Sequence, residues 1–302
     1  MSSPLLATGP AVVAPLTYFK GTTDGQKPYQ LMYESAKIPE NNVEREHPQL
    51  PIHDLRPLLS NPDAMRQISV DTTGFAVPAK EISRTKMQYS DWDNEETIKS
   101  VYYPELERML KKVTGASKVI FFDHTIRKGE RKGEETPDTP TSRKPVSFVH
   151  VDQTPESGRR RVLRHGGEDG ERLLRGRAQI INVWRPLRGP VLDTPLAVAD
   201  ARTLVPDEDL VSSRLVYPTE GPDAQPEGET FQIKWSERHK WYYLSEMQPD
   251  EILLLKCWEN RPDGGVRTPH TAFIDPRYVG RDDIPLRQSI EVRALVFHEP
   301  EE

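Results

Sequence analysis

The segment Arg287-Gln-Ser-Ile-Glu-Val-Arg-Ala-Leu-Val-Phe297 constrains the architecture more than any other stretch of the chain. Its character alternates with period two, the period of a β-strand and not of a helix. Arg287, Ser289, Glu291 and Arg293 therefore share one face, opposite Ile290, Val292 and Ala294. So long a strand needs neighbours on both edges and an apolar layer beneath it. Ala178–Leu187, Pro195–Asp200 and Glu251–Trp258 supply further strand-like runs, and Ser117–His124 reads as a strand entering a loop. Thr17–Phe19 and Gln30–Tyr33 are candidate edge strands. From Asn94 to Val113, Ile98, Val101, Tyr102, Leu106, Met109 and Leu110 recur near helical period behind an acidic first turn. They predict a helix that buttresses a sheet. The proline-punctuated run from His47 to Leu59 is expected to drape over the surface. Strands separated by loops, with the helices concentrated early, predict a mainly β fold with flanking α-helices, a barrel or jelly roll.

Composition agrees. Among 302 residues, 28 prolines and 18 glycines with 35% apolar content favour strands and long connections over a helical bundle. A net charge of −6 leaves no general footprint for nucleic acid or an anionic membrane. No apolar run approaches the roughly 20 residues that span a bilayer. The first 16 residues lack the basic start and apolar centre of a signal peptide. The single cysteine, Cys257, forbids an internal disulfide. The expectation is a soluble, cytoplasmic protein.

Chemistry concentrates in Phe148-Val-His-Val-Asp-Gln-Thr154. In a strand, His150 and Asp152 project to one face while Val149 and Val151 pack on the other. A second imidazole, His270 of Thr268-Pro-His-Thr-Ala-Phe273, completes a two-His, one-carboxylate set. That set binds Fe(II) on one face and leaves the remaining positions open. Asp123-His124 is a rival pair, but adjacent strand residues face opposite ways and do not share an ion easily. An iron oxygenase that uses 2-oxoglutarate needs a cation for the far carboxylate of that cosubstrate. Arg287 or Arg293 suits it, because a guanidinium pairs with a carboxylate bidentately, and Ser289 adds a hydroxyl. The basic run from Gly158 to Arg177 reads as a surface helix whose arginines pair with Glu168, Asp169 and Glu171, in preference to a phosphate grip. Trp184, Arg185, Trp241 and the loops 127–144 and 218–229 are candidates for pocket walls, with core roles at least as well supported for the aromatic residues.

The order His-x-Asp, distant His, then Arg-x-Ser-x-x-x-Arg resembles the Fe(II)/2-oxoglutarate-dependent oxygenases, with the arginine spacing of the AlkB-type demethylases. Phe122–Thr125, Val149–Asp152, Ile181–Leu187, Pro195–Asp200, Pro249–Lys256, Pro269–Phe273 and Arg287–Leu295 are together similar to one group of these enzymes. That group includes the cephamycin methoxylase small-chain homologues, gibberellin desaturase and the fungal meroterpenoid oxygenases. The resemblance implies a double-stranded β-helix core over residues 91–302, with residues 1–90 an N-terminal extension packed on it in one compact domain. It implies Fe(II), 2-oxoglutarate and O2 as cofactors and a natural-product small molecule as substrate. Hydroxylation, desaturation, cyclisation and peroxide formation all remain open. It implies metal roles for His150, Asp152 and His270, cosubstrate roles for Arg287, Ser289 and Arg293, and is compatible with a homodimer. An AlkB-like nucleic-acid demethylase, a non-catalytic barrel that binds a partner oxygenase and a zinc hydrolase are the competing readings.

Overall fold

A computed structural model describes residues 11–33, 38–129, 143–218, 220, 228–261 and 265–298. In chain order its strands are β1 (Ala11–Pro15), β2 (Tyr18–Thr22), β3 (Tyr29–Leu31), β4 (Val43–Glu46), β5 (Gln49–Asp54), β6 (Phe75–Ala76), β7 (Lys118–Lys128), β8 (His150–Val151), β9 (Arg177–Pro186), β10 (Leu196–Ala199), β11 (Leu210–Val216), β12 (Gly228–Ile233), β13 (Trp241–Tyr243), β14 (Leu253–Glu259), β15 (His270–Ala272) and β16 (Gln288–His298). Among the described residues they form a nine-stranded sheet, ordered β1-β5-β13-β10-β15-β8-β12-β11-β3, and a five-stranded sheet, ordered β6-β14-β9-β16-β7. β2 and β4 pair separately. This is the expected mainly β, jelly-roll architecture with flanking helices. No helix among the described residues is long and apolar enough to cross a membrane.

The two sheets face one another across a core to which both contribute. Val12, Ile52, Val149, Val151, Ala197, Ile233 and Trp241 come from the side of the larger sheet, and Ile180, Cys257, Trp258, Leu295 and Phe297 from the smaller. The other face of the smaller sheet is covered by the helical run 95–114, as its periodicity predicts. Ile98, Tyr102, Leu106, Met109 and Leu110 pack there on Ile181, Val183, Leu254, Ile290, Val292 and Ala294. The alternation of β16 thus places its apolar set beneath the helix and its polar set inside the sandwich.

The run His47–Leu59 departs from expectation. It forms β5 inside the larger sheet, between β1 and β13, with Ile52 fully buried. Pro51 is tolerated because β13 pairs only with Ile52–Asp54, so the proline has a neighbour on the β1 side alone. β7 also continues beyond His124 to Lys128 instead of ending in a loop. Residues from the first 90 supply β1, β3 and β5 to the larger sheet and β6 to the smaller. The loops 130–142 and 221–227, within the candidate pocket walls, lie outside the described residues.

The helix Pro155–Gly166 follows the metal-strand candidate and docks through Gly158 on Trp258. A Cβ at Gly158 would lie 2.4 Å from three atoms of the indole, whose Nε1 donates to the Pro155 carbonyl at 3.1 Å. Overpacking of this kind costs about 1–3 kcal/mol. Gly158→Ala is therefore expected to lower thermal stability by that amount, read as a reduced midpoint in chemical denaturation.

Candidate metal centre and its cavities

β8 and β15 are adjacent antiparallel strands in which His150 stands directly opposite His270. Val149 and Val151, both fully buried, anchor β8 so that the intervening ring points out of the core. Asp152 follows at the end of β8. The Nε2 atom of His150 lies 3.3 Å from Asp152 Oδ1, and that of His270 lies 3.7 Å from the same oxygen. Among the described residues this trio has ligand atoms all within 4.8 Å of one another.

Hydrogen bonds decide which atoms face the centre. His150 Nδ1 sits 2.8 Å from the Phe148 carbonyl and His270 Nδ1 3.0 Å from the Thr268 carbonyl. A carbonyl only accepts, so each Nδ1 carries the proton and each Nε2 presents a lone pair. Asp152 Oδ2 is taken by Asn182 Nδ2 at 2.7 Å and Arg293 Nε at 3.3 Å, which leaves Oδ1 for the centre. Burial opposes ionisation of Asp152, but the His150 ring, Arg293 and His270 outweigh it and hold the carboxyl well below its usual range. Burial, reinforced by His150, pushes the proton affinity of His270 down. The two Nε2 atoms and one carboxylate oxygen thus converge on one point. The donor set fits a divalent transition ion bound on one face.

The neighbouring groups owe their aim to a bulge. β7 and β16 pair Arg293 with Asp123 but Ala294 with Phe121, so Phe122 is an extra residue. An extra residue reverses the facing of everything beyond it. Val119 and Phe121 pack on the helical layer before the bulge, and Ile126 after it. Asp123, Thr125 and Arg127 consequently turn inward, opposite Arg293, Glu291 and Ser289. His124 turns outward to Tyr103, 2.8 Å away, so Asp123-His124 forms no metal pair. Arg293 ends up held by Asp123 at 2.9 Å, Glu291 at 2.7 Å and Asp152. Nothing in the sequence marks the bulge that turns Asp123 and Arg127 inward, and Asn182 of β9 carries no local signal of its role either. Loss of a hydrogen bond to a ligating carboxylate typically costs 10–100-fold in metal affinity. Asn182→Ala is expected to weaken Fe(II) binding within that range, measured by equilibrium dialysis.

Arg287 and Arg293, equivalent by spacing, have different surroundings. Arg287 is buried, with Nε donating to Ser289 Oγ at 3.1 Å and Nη1 to the Thr194 carbonyl at 3.1 Å, above the Trp184 ring. No carboxylate forms an ion pair with it among the described residues, and burial together with Arg127 pushes its proton affinity down to about 9. It lines a small inner cavity of about 20 Å³ with His150, His270, Leu196 and Glu291. An outer cavity of about 340 Å³ also reaches His150, walled by Phe148, Asp152, Arg127, Arg161, Leu215 and Tyr217 among others; Arg127 and His150 line both cavities. Other candidates are structural. Arg185 is buried on the Tyr102 hydroxyl at 2.8 Å, and Trp241 donates to the Tyr18 hydroxyl at 2.7 Å within the core. Within the basic run, Arg159 pairs with Glu171 and Arg172 with Asp169, as expected of a surface helix, whereas Arg161 reaches the outer cavity.

A family described as "YDMC: Oxidoreductase/YMDC permease-like domain" matches residues 16–297. The chain is 37% identical over 254 residues to the hydroxylase/desaturase efuI of Hormonema carpetanum, covering 78% of this chain and 81% of that protein. It is 36% identical over 246 residues to the Fe(II)/2-oxoglutarate-dependent dioxygenase nvfI of Aspergillus novofumigatus, covering 81% of each. The solved structure of the iron and alpha-ketoglutarate-dependent endoperoxidase NvfI superposes with a TM-score of 0.78 at 28% identity, over 96% of this chain and 99% of that one. The chain thus belongs to the family of fungal Fe(II)/2-oxoglutarate-dependent dioxygenases and hydroxylase/desaturases, and its cofactors are Fe(II), 2-oxoglutarate and O2.

Proposed function

We propose that this oxygenase oxidises a C–H bond of a natural-product small molecule, with His150, Asp152 and His270 holding the metal and Arg287 with Ser289 holding the far carboxylate of 2-oxoglutarate. The observation that carries the reading is the pair of Nδ1–carbonyl hydrogen bonds, which turn both Nε2 lone pairs toward Asp152 Oδ1. Fe(II) bound there supplies, with 2-oxoglutarate and O2, the oxidising power that amino-acid side chains lack.

The protein contributes position. Asn182 and Arg293 fix Asp152 so that one oxygen alone faces the centre. Arg287 presents in the inner cavity a buried cation that forms no ion pair with a carboxylate among the described residues, and a dicarboxylic cosubstrate satisfies it. Arg293, already neutralised by three carboxylates, acts as a positioning residue for Asp152 and not as the cosubstrate clamp. The outer cavity lies at the low end of the size range for small-molecule sites. A substrate seated there meets the centre at His150 and Asp152.

The test is anaerobic addition of Fe(II) and 2-oxoglutarate to the apoprotein, followed by visible spectroscopy for the weak charge-transfer band of a metal-chelated keto acid. The band is expected in the native protein. Its absence while Fe(II) is bound would refute the cosubstrate assignment.

A further inference from the structure

We propose that the substrate is an organic acid, its carboxylate held by Arg161 at the wall of the outer cavity while its apolar body lies against Phe148 and Leu215. The proposal rests on the reading of this cavity as the substrate site.

The argument is one of charge balance. Arg127, Arg143, Lys144, Arg161 and Arg293 line the cavity, against Asp123 and Asp152. Both acids are committed to Arg293, which removes them from the balance. Among the described residues the Arg127 guanidinium donates to the Lys144 carbonyl, at 2.8 Å, and the Arg161 guanidinium lies 5.6 Å above the Phe122 ring. Among the described residues neither forms an ion pair with a carboxylate. A partly buried guanidinium left without an anion costs free energy that an anionic occupant recovers. Burial lowers the proton affinity of both groups, which is the same deficit seen in another way.

The anion is distinct from the cosubstrate, which has its own cation in Arg287. Arg161, from the helix Pro155–Gly166, lines the outer cavity alone, whereas Arg127 of β7 lines the inner cavity beside Arg287 as well. The planar fork of one guanidinium suits the two oxygens of a carboxylate. Phe148, 5.1 Å from the His150 ring, and Leu215 supply the apolar contact. The cavity volume, about 340 Å³, suits a small molecule.

The test uses full-length protein loaded anaerobically with Fe(II) and 2-oxoglutarate, and calorimetric titration with benzoate, 1-naphthylacetate and cyclohexylacetate, each beside its methyl ester. At least one acid is expected to bind about tenfold or more tightly than its ester. That preference is expected to vanish in Arg161→Gln and to return in part in Arg161→Lys, which restores charge without the fork. Formation of the charge-transfer band before any probe is added reports the metal and cosubstrate reading separately. If the band forms but no acid binds, or acids and esters bind alike, the organic-acid proposal is overturned while that reading stands. Tighter binding of 1-naphthyl phosphate than of any acid overturns the carboxylate assignment. A rise in the KM for 2-oxoglutarate in Arg161→Gln with an unchanged acid preference overturns the role of Arg161.

Discussion

Replacing His270 with alanine is expected to abolish the charge-transfer band and to weaken Fe(II) affinity by more than about 100-fold. Even the loss of a group that only supports a ligand costs about 10–100-fold, and a ligand itself counts for more. His270 is buried, and its Nδ1 proton is already held by the Thr268 carbonyl, so no freedom remains for another side chain to take its place. The variant keeps β15 paired with β10, whose ladder is made by the backbone. Far-ultraviolet circular dichroism is therefore expected to match the native protein while metal retention, read by atomic absorption after desalting, is lost. Retention of stoichiometric iron in this variant would remove His270 from the ligand set.

Arg287→Met separates the cosubstrate from the metal. Truncating one partner of a buried, hydrogen-bonded charge pair costs about 2–5 kcal/mol. At 1.4 kcal/mol per factor of ten, the KM for 2-oxoglutarate is expected to rise by about 30-fold to several thousand-fold. Fe(II) affinity is expected to stay native, because Arg287 touches Ser289, Thr194 and the Trp184 ring and none of the metal-ligand candidates. Arg287→Lys is expected to behave much more like methionine than like arginine, since a point charge does not reproduce the fork. Arg293→Met gives the opposite pattern, with iron affinity falling before cosubstrate affinity does, because its contact is with Asp152. A fall in cosubstrate affinity confined to Arg293→Met would exchange the two roles.

Much of the sandwich was legible because its periods are strong. The alternation in Arg287–Phe297, the continuous apolar run of β14 and the helical spacing from Ile98 to Leu110 each describe a face that a given neighbour must cover. Proline misled at His47–Leu59. Its propensity argues against a central strand, but Pro51 falls where β5 is paired on one side only, and sequence does not show where a partner strand ends.

For the site, the sequence by itself determined the chemistry. His150 and Asp152 two apart between buried valines, a later His270 and an Arg-x-Ser strand specify which atoms are available, since side-chain direction within one strand is a local property. Tertiary structure alone decided how those atoms are shared. The register that sets His150 opposite His270, and the bulge at Phe122 that swings Asp123 and Arg127 inward, both arise from pairing between distant segments. The same pairing gives Arg293 three ion pairs with carboxylates and, among the described residues, gives Arg287 none, although both stand on one face of one strand. Two arginines identical in local sequence terms differ because electrostatics acts through space, and only the folded chain says which charges are near.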